Sequence, residues 1–179
     1  MDLNLRGRFS VEHWYNGELL GVYPCKNDST NEGRNRFLDV GWNGIPKIVI
    51  WYMGIIDYTG YTALAVTDLY RNINLAANGW DEFTSYTDTN NADDATTRPI
   101  WVSDAASGQS IANTTKSIFT VTSAGIVKGL FLVGGSSNAQ IKGDNTGSNS
   151  ILWATALFTI GDVPVFIGSV LRVAYAISA

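Results

Sequence analysis

Cysteine and histidine each occur once in 179 residues, and charged residues make up only 16% of the chain. Each scarcity excludes something. A single cysteine, Cys25, cannot form an intrachain disulfide. It lies between Pro24 and Lys26; a neighbouring cation favours thiolate, but an isolated thiol in a turn reads as inert. The single histidine, His13, stands beside Trp14 with no second histidine, cysteine or motif-spaced serine. General bases and metal ligands work in company, so a structural histidine is expected. The longest apolar stretches, 126–133 and 163–171, fall well short of the ~20 residues of a membrane span. The opening residues lack the apolar core and cleavage pattern of a secretory leader. A chain made and kept in a cytosol, with no membrane partner, is the expectation.

The charge deficit is informative in itself. Soluble domains usually carry ~25% charged residues. A surface this poor in charge suggests partial cover by other subunits, although an Asn/Ser/Thr/Gly surface would have the same effect. Net charge is −4, and residues 51–115 hold two cations (Arg71, Arg98) against eight anions. That imbalance opposes nucleic-acid binding, which needs a basic stripe to neutralise phosphates.

Enzyme signatures are also missing. There is no Gly-x-Ser-x-Gly, no Gly-x-x-x-x-Gly-Lys and no Gly-x-Gly-x-x-Gly. The loop Asp88-x-Asn90-Asn91-x-Asp93-Asp94 offers hard oxygen ligands of the kind calcium takes. It fails as a helix–loop–helix calcium loop because no glutamate closes it. A solvated acidic loop is the plainer reading, with an irregular calcium site as the alternative. Trp80-Asp81-Glu82-Phe83 is the one aromatic-flanked acidic pair, the minimum a glycosidase would need. No catalytic, cofactor or metal residue is assigned.

What is present is β-rich. Tyr15-Asn16-Gly17-Glu18 between alternating runs predicts a hairpin, since both central residues tolerate the positive φ of a type I′ turn. Ser29-Thr30-Asn31-Glu32 reads as a capping box opening a helix that ends near Val40, with Phe37, Leu38 and Val40 on its apolar side. Ile48–Ile56 reads as an apolar strand, and Thr67–Ile73 as a further turn or two of helix. Ser117–Thr122 and Val165–Ile177 alternate with period two, the latter placing Val165, Ile167, Leu171, Val173, Tyr175 and Ile177 on one face. Runs 126–133 and 151–160 are apolar on both faces. In 151–160, Ile151, Trp153 and Leu157 face one way and Leu152, Ala154, Ala156, Phe158 and Ile160 the other. One face must therefore be covered by a loop or a neighbour. Residues 84–98 and 134–150 read as flexible loops. The whole predicts one domain over 1–179: an all-β sandwich of jelly-roll type with one or two short helices, an arm over about residues 1–8 and, as second choice, an open barrel.

Phe9-x-Val11-Glu12-His13-Trp14, Asn31-Glu32-Gly33-x-Asn35-x-Phe37-Leu38-Asp39-Val40, Trp51-Tyr52-Met53-Gly54-Ile55-Ile56 and Thr97-Arg98-Pro99 stand in an order that resembles a family of small virion structural proteins of tailed bacteriophages. The resemblance spans nearly the whole chain. It implies a non-enzymatic cement or decoration protein on the outer surface of the capsid, made in the host cytoplasm and stabilising the head. Its partners would be the major capsid protein and copies of itself, as a dimer or trimer, and not nucleic acid. The arm Asp2–Arg8 and the low-charge C-terminal strands are the expected contact regions. A tail or fibre-base module recognising host surface glycan through its aromatics is the alternative.

Overall fold

Asn16 and Gly17 take φ of 49° and 81°, the paired left-handed conformation of a type I′ turn. They join β1 (Arg6–Tyr15) to β2 (Glu18–Ser29) as expected. The structure, a computed structural model, describes residues 5–179. Met1–Asn4, half of the expected arm, lie outside the described residues. The other half is not an arm. Arg6, Gly7 and Arg8 pair with β11 (Val170–Ser178) on one side, and Gly7 and Arg8 with β2 on the other. Nothing local in Arg-Gly-Arg reveals this, because the strand that captures it comes from the far end of the chain.

After β2 come helix α1 (Asn31–Trp42), β3 (Trp51–Asp57), β4 (Tyr86–Asp88), β5 (Ile100–Trp101), β6 (Ser110–Ala112), β7 (Ser117–Val121), β8 (Gly125–Gly134), β9 (Ile151–Leu157), β10 (Val163–Val165) and β11. All pairings are antiparallel, and four are nested: β1 with β11, β2 with β9, β3 with β8 and β4 with β7. The hydrogen-bonded path β4-β7-β11-β1-β2-β9-β8-β3-β5 turns over at β2. Its two halves then face each other as a sandwich. Phe9, Val11, Phe119, Leu171 and Val173 from one layer meet Met53, Ile55, Leu130 and Leu132 from the other. The fold is thus the all-β sandwich expected, with one α-helix among the described residues. The neighbour order, with β11 beside β7 and β9 beside β8, does not establish the jelly-roll type expected.

β3, β8 and β9 are buried on both faces. The outer face (Tyr52, Ile56, Phe131, Val133, Leu152) is covered by Tyr70, Ile73, Trp80 and Ala139 of the chain's own connections. A loop, not a neighbour, supplies this cover. Residues 134–150 and 84–98, expected as flexible loops, are tied down accordingly. Ser137–Gln140 forms a 3-10 turn, and Asn138 donates to Asp144 Oδ2 over 3.1 Å. In the other segment, β4 pairs with β7.

Three boundaries and one register differ from expectation. The strand of 48–56 starts only at Trp51. Thr67–Ile73 yields one 3-10 turn, Tyr70–Asn72. The long run 165–177 breaks at Gly168, whose φ is 85°, leaving Ile167 68% exposed. In β9 a register shift opposite Leu132/Val133 pairs Ala154 with Leu132 and Leu152 with Val133. Trp153 and Ala154 consequently share one core, a β-bulge that breaks the expected alternation.

Candidate assembly surface

Thr30 caps α1: its Oγ1 accepts from Gly33 N–H at 3.0 Å and donates to the carbonyl of Leu152 in β9. The expected capping box does not close. Ser29 lies outside the cap, and Glu32 turns away from its own helix. Its Oε2 accepts from the backbone N–H of Tyr70 (2.9 Å) and of Leu152 (2.6 Å). Burial pushes this carboxyl's pKa up, and the two N–H groups oppose that shift. Gly33 is the one buried residue of the helix, seated so close to β9 that a Cβ would lie 2.7 Å from the Trp153 carbonyl oxygen.

The first turn of α1 is therefore bolted to the sandwich, while the rest stands outward. Phe37 and Leu38, expected on a buried face, are exposed, and Val40 is half-buried. Trp42 is 74% exposed. Asp39 accepts the N–H groups of Asn43 and Ile45, turning the chain into an irregular segment, 44–50, where Ile45, Val49 and Ile50 are exposed, Val49 at 78%. This apolar ridge was invisible as such in the sequence, because 48–50 read as core strand. The available signal was apolar residues at 37, 38, 40 and 42, which spread too far round a helix to be buried on one side. Contiguous apolar patches of this kind mark interaction sites.

Beneath the ridge opens an apolar cavity of about 300 Å³. Trp51, Trp101, Trp153, Leu132, Ile111 and Ile177 line it, and among the described residues its charged side chains are those of Arg36 and Lys47. Arg36 Nη2 donates to the carbonyl of Pro46 at 3.2 Å, and its Nε is buried without a partner. Leu5 and Ala179 also form part of the wall, so the low-charge C-terminal strand does reach this surface.

The other chemistry-bearing residues are absorbed by the fold. Glu82 lies bidentate against Arg98, both side chains fully buried, so it is not open to a substrate. Asp81 is half-buried, and the two carboxylates do not form an acid pair in a cleft. In the acidic loop, Asp88 Oδ1 accepts Asn90 N–H (3.1 Å), and Asp94 Oδ1 accepts Thr96 N–H (2.6 Å) and Oγ1–H (2.7 Å). Among the described residues no three His, Cys, Asp or Glu side chains converge as a metal site. His13 is buried with Nε2 3.0 Å from Ser169 Oγ, and desolvation pushes its pKa down. Burial pushes the Cys25 thiol up to about 12. Of the six tryptophans only Trp42 is exposed.

No family model, curated protein or solved structure matches the chain. No helix among the described residues is long and apolar enough to cross a membrane.

Proposed function

We propose that this chain is a non-enzymatic structural protein of a tailed-bacteriophage particle, a cement or decoration protein on the outer capsid surface. The observation that carries the assembly reading is the ridge formed by α1 and residues 44–50, with Trp42 and Val49 held out into solvent above an apolar cavity. The phage assignment rests on the four sequence strings. A helix fixed at its first turn, with Phe37, Leu38 and Trp42 exposed beyond it, gains by burying those side chains against another subunit. Binding only the assembled shell stabilises it by RT ln(1 + [L]/Kd), repeated at every site. The major capsid protein is the proposed partner, and the net negative charge suits a position outside the shell, away from packaged DNA.

The test is a symmetry-expanded cryo-EM map of the virions that carry this chain. Density repeated over the outer shell, with α1 facing the capsid lattice, is the expected result; density confined to neck or tail overturns the cement role.

One cluster favours the second reading, glycan recognition at the tail. Lys128 Nζ lies 5.1 Å from the Tyr58 ring centroid and 4.6 Å from that of Tyr61, and it pairs with Asp162 at 2.5 Å. Aromatic faces beside polar groups suit a sugar, but here the lysine already covers both rings. Binding to a glycan array that is lost in Tyr58→Ala would promote this reading over the first.

A further inference from the structure

The hairpin tip and the apolar cavity lie at opposite ends of β1. Leu5 lines the cavity, and ten residues later Tyr15 enters the Asn16-Gly17 turn. At ~3.3 Å per residue, the two ends are about 33 Å apart. The tip carries its own exposed apolar residues: Leu19 and Leu20, at 47% and 48%, and Val22. The register shift at His13/Trp14 makes Leu20 an extra, unpaired residue of β2. Phe166 and Ile167 are exposed at the same end, with the Phe166 ring 5.2 Å from Tyr15.

Charge distinguishes the two ends. Glu18 is the only charged residue between Trp14 and Val22, and it is in none of the ion pairs among the described residues. Glu12, nearby on β1, is already neutralised by Lys116. The cavity has the converse: two cations, Arg36 and Lys47, no Asp or Glu side chain among the described lining residues, and a buried guanidinium N–H without an acceptor. The tip end carries the unpaired Glu18 carboxylate, with the Arg172 guanidinium set back over the Trp14 ring at 5.1 Å, and the cavity end carries spare donors.

We propose that the cavity receives the β1–β2 hairpin tip of a second copy of this chain, Leu19 and Leu20 entering the tryptophan-lined space and Glu18 pairing with Arg36 and Lys47. This deepens the assembly reading by naming one partner of its surface, and it can fail while that reading stands. Because the two complementary patches sit at opposite ends of one molecule, the contact is head-to-tail. Such contacts close into rings when the rotation allows and otherwise extend as filaments; they do not make a two-fold dimer.

The test is sedimentation of the purified chain from micromolar to near-millimolar concentration, with Leu20→Asp (tip) and Lys47→Glu (cavity mouth). Both positions are exposed, and far-UV circular dichroism checks that the fold is retained. The wild-type chain is expected to associate beyond dimer, and each variant alone to associate about tenfold or more weakly. Mixed together, the variants should form one-to-one dimers and nothing larger, since each keeps one intact patch. A wild-type chain that stays monomeric overturns the proposal. So do variants that assemble like wild type, or single variants that still dimerise through a two-fold contact. A monomer that nevertheless decorates purified heads assigns the cavity to another virion protein. Conversely, self-association with no virion density removes the proposed function and leaves the head-to-tail contact standing.

Discussion

Arg98 and Glu82 meet fork to fork in an interior closed to water, Nε to Oε1 at 2.8 Å and Nη2 to Oε2 at 2.6 Å. The remaining donors of Arg98 reach the carbonyls of Ala139 (2.8 Å) and Asp144 (3.2 Å), and Glu82 accepts Gly143 N–H at 2.7 Å. One ion pair thus pins segments 82–86, 98–99 and 139–144, which border the outer face covered by Tyr70, Ile73 and Trp80. Removing one partner leaves a buried charge uncompensated, a loss of ~3–5 kcal/mol. Arg98→Met should therefore lower the urea midpoint steeply, whereas Glu82→Leu/Arg98→Met should recover much of the loss. A single Arg98→Met variant within about 1 kcal/mol of wild type would contradict the assignment.

At Gly33, two effects oppose each other. Alanine favours a helix over glycine by ~1 kcal/mol, but here its Cβ would sit 2.7 Å from the Trp153 carbonyl oxygen and 2.9 Å from its Cα. Both atoms are backbone and cannot swing aside, and overpacking of this kind costs ~1–3 kcal/mol. Gly33→Ala is expected to be destabilising in chemical denaturation, and a net gain would show that α1 is not seated against β9.

His13 gives the fold a pH dependence of definite sign. Burial holds its pKa below the ordinary 6.5. Between that lowered value and 6.5 the unfolded chain binds a proton that the native chain does not. The stability contribution is whole above 6.5 and declines as pH falls through the folded pKa. Glu32 and Asp88, whose carboxyls burial pushes up, work with the opposite sign at lower pH. His13→Gln isolates the first effect: between about pH 7.5 and pH 5.5 its denaturation midpoint should fall less than that of wild type. Parallel slopes would exclude His13 as the source.

Cys25 should be silent towards thiol reagents. Its side chain has no exposure, and its pKa is pushed up to about 12, so at neutral pH it is neither accessible nor ionised. Labelling by a chromogenic disulfide should proceed only with unfolding, at a rate that follows denaturant concentration. Rapid stoichiometric reaction of the native protein would refute this.

What could be read in the sequence was what depends on neighbours in sequence. Asn16-Gly17 fixed its hairpin because the turn's requirement is local, and the two-sided apolar runs correctly announced strands covered on both faces. Glu32 was misread for the same reason. Its spacing from Ser29 satisfies a local motif, yet the N–H groups it takes belong to Tyr70 and Leu152. Arg98 carried no local sign of burial, since its partner lies sixteen residues away and its other acceptors further still. Val49 read as part of an apolar strand, yet it is 78% exposed in the segment between α1 and β3. The cavity was unreadable in principle, being assembled from residues 5, 36–51, 101–111, 132, 153 and 177–179.

The nested pairing carries a consequence for biosynthesis. Of the described strands, β1 is synthesised first and its outer partner β11 last. Contacts so distant along the chain form late and slowly. Leu5 and Ile177–Ala179 wall the same cavity, so no nascent or truncated chain can present it. The cavity is therefore a late feature of folding: its wall is complete only once β11 has closed on β1.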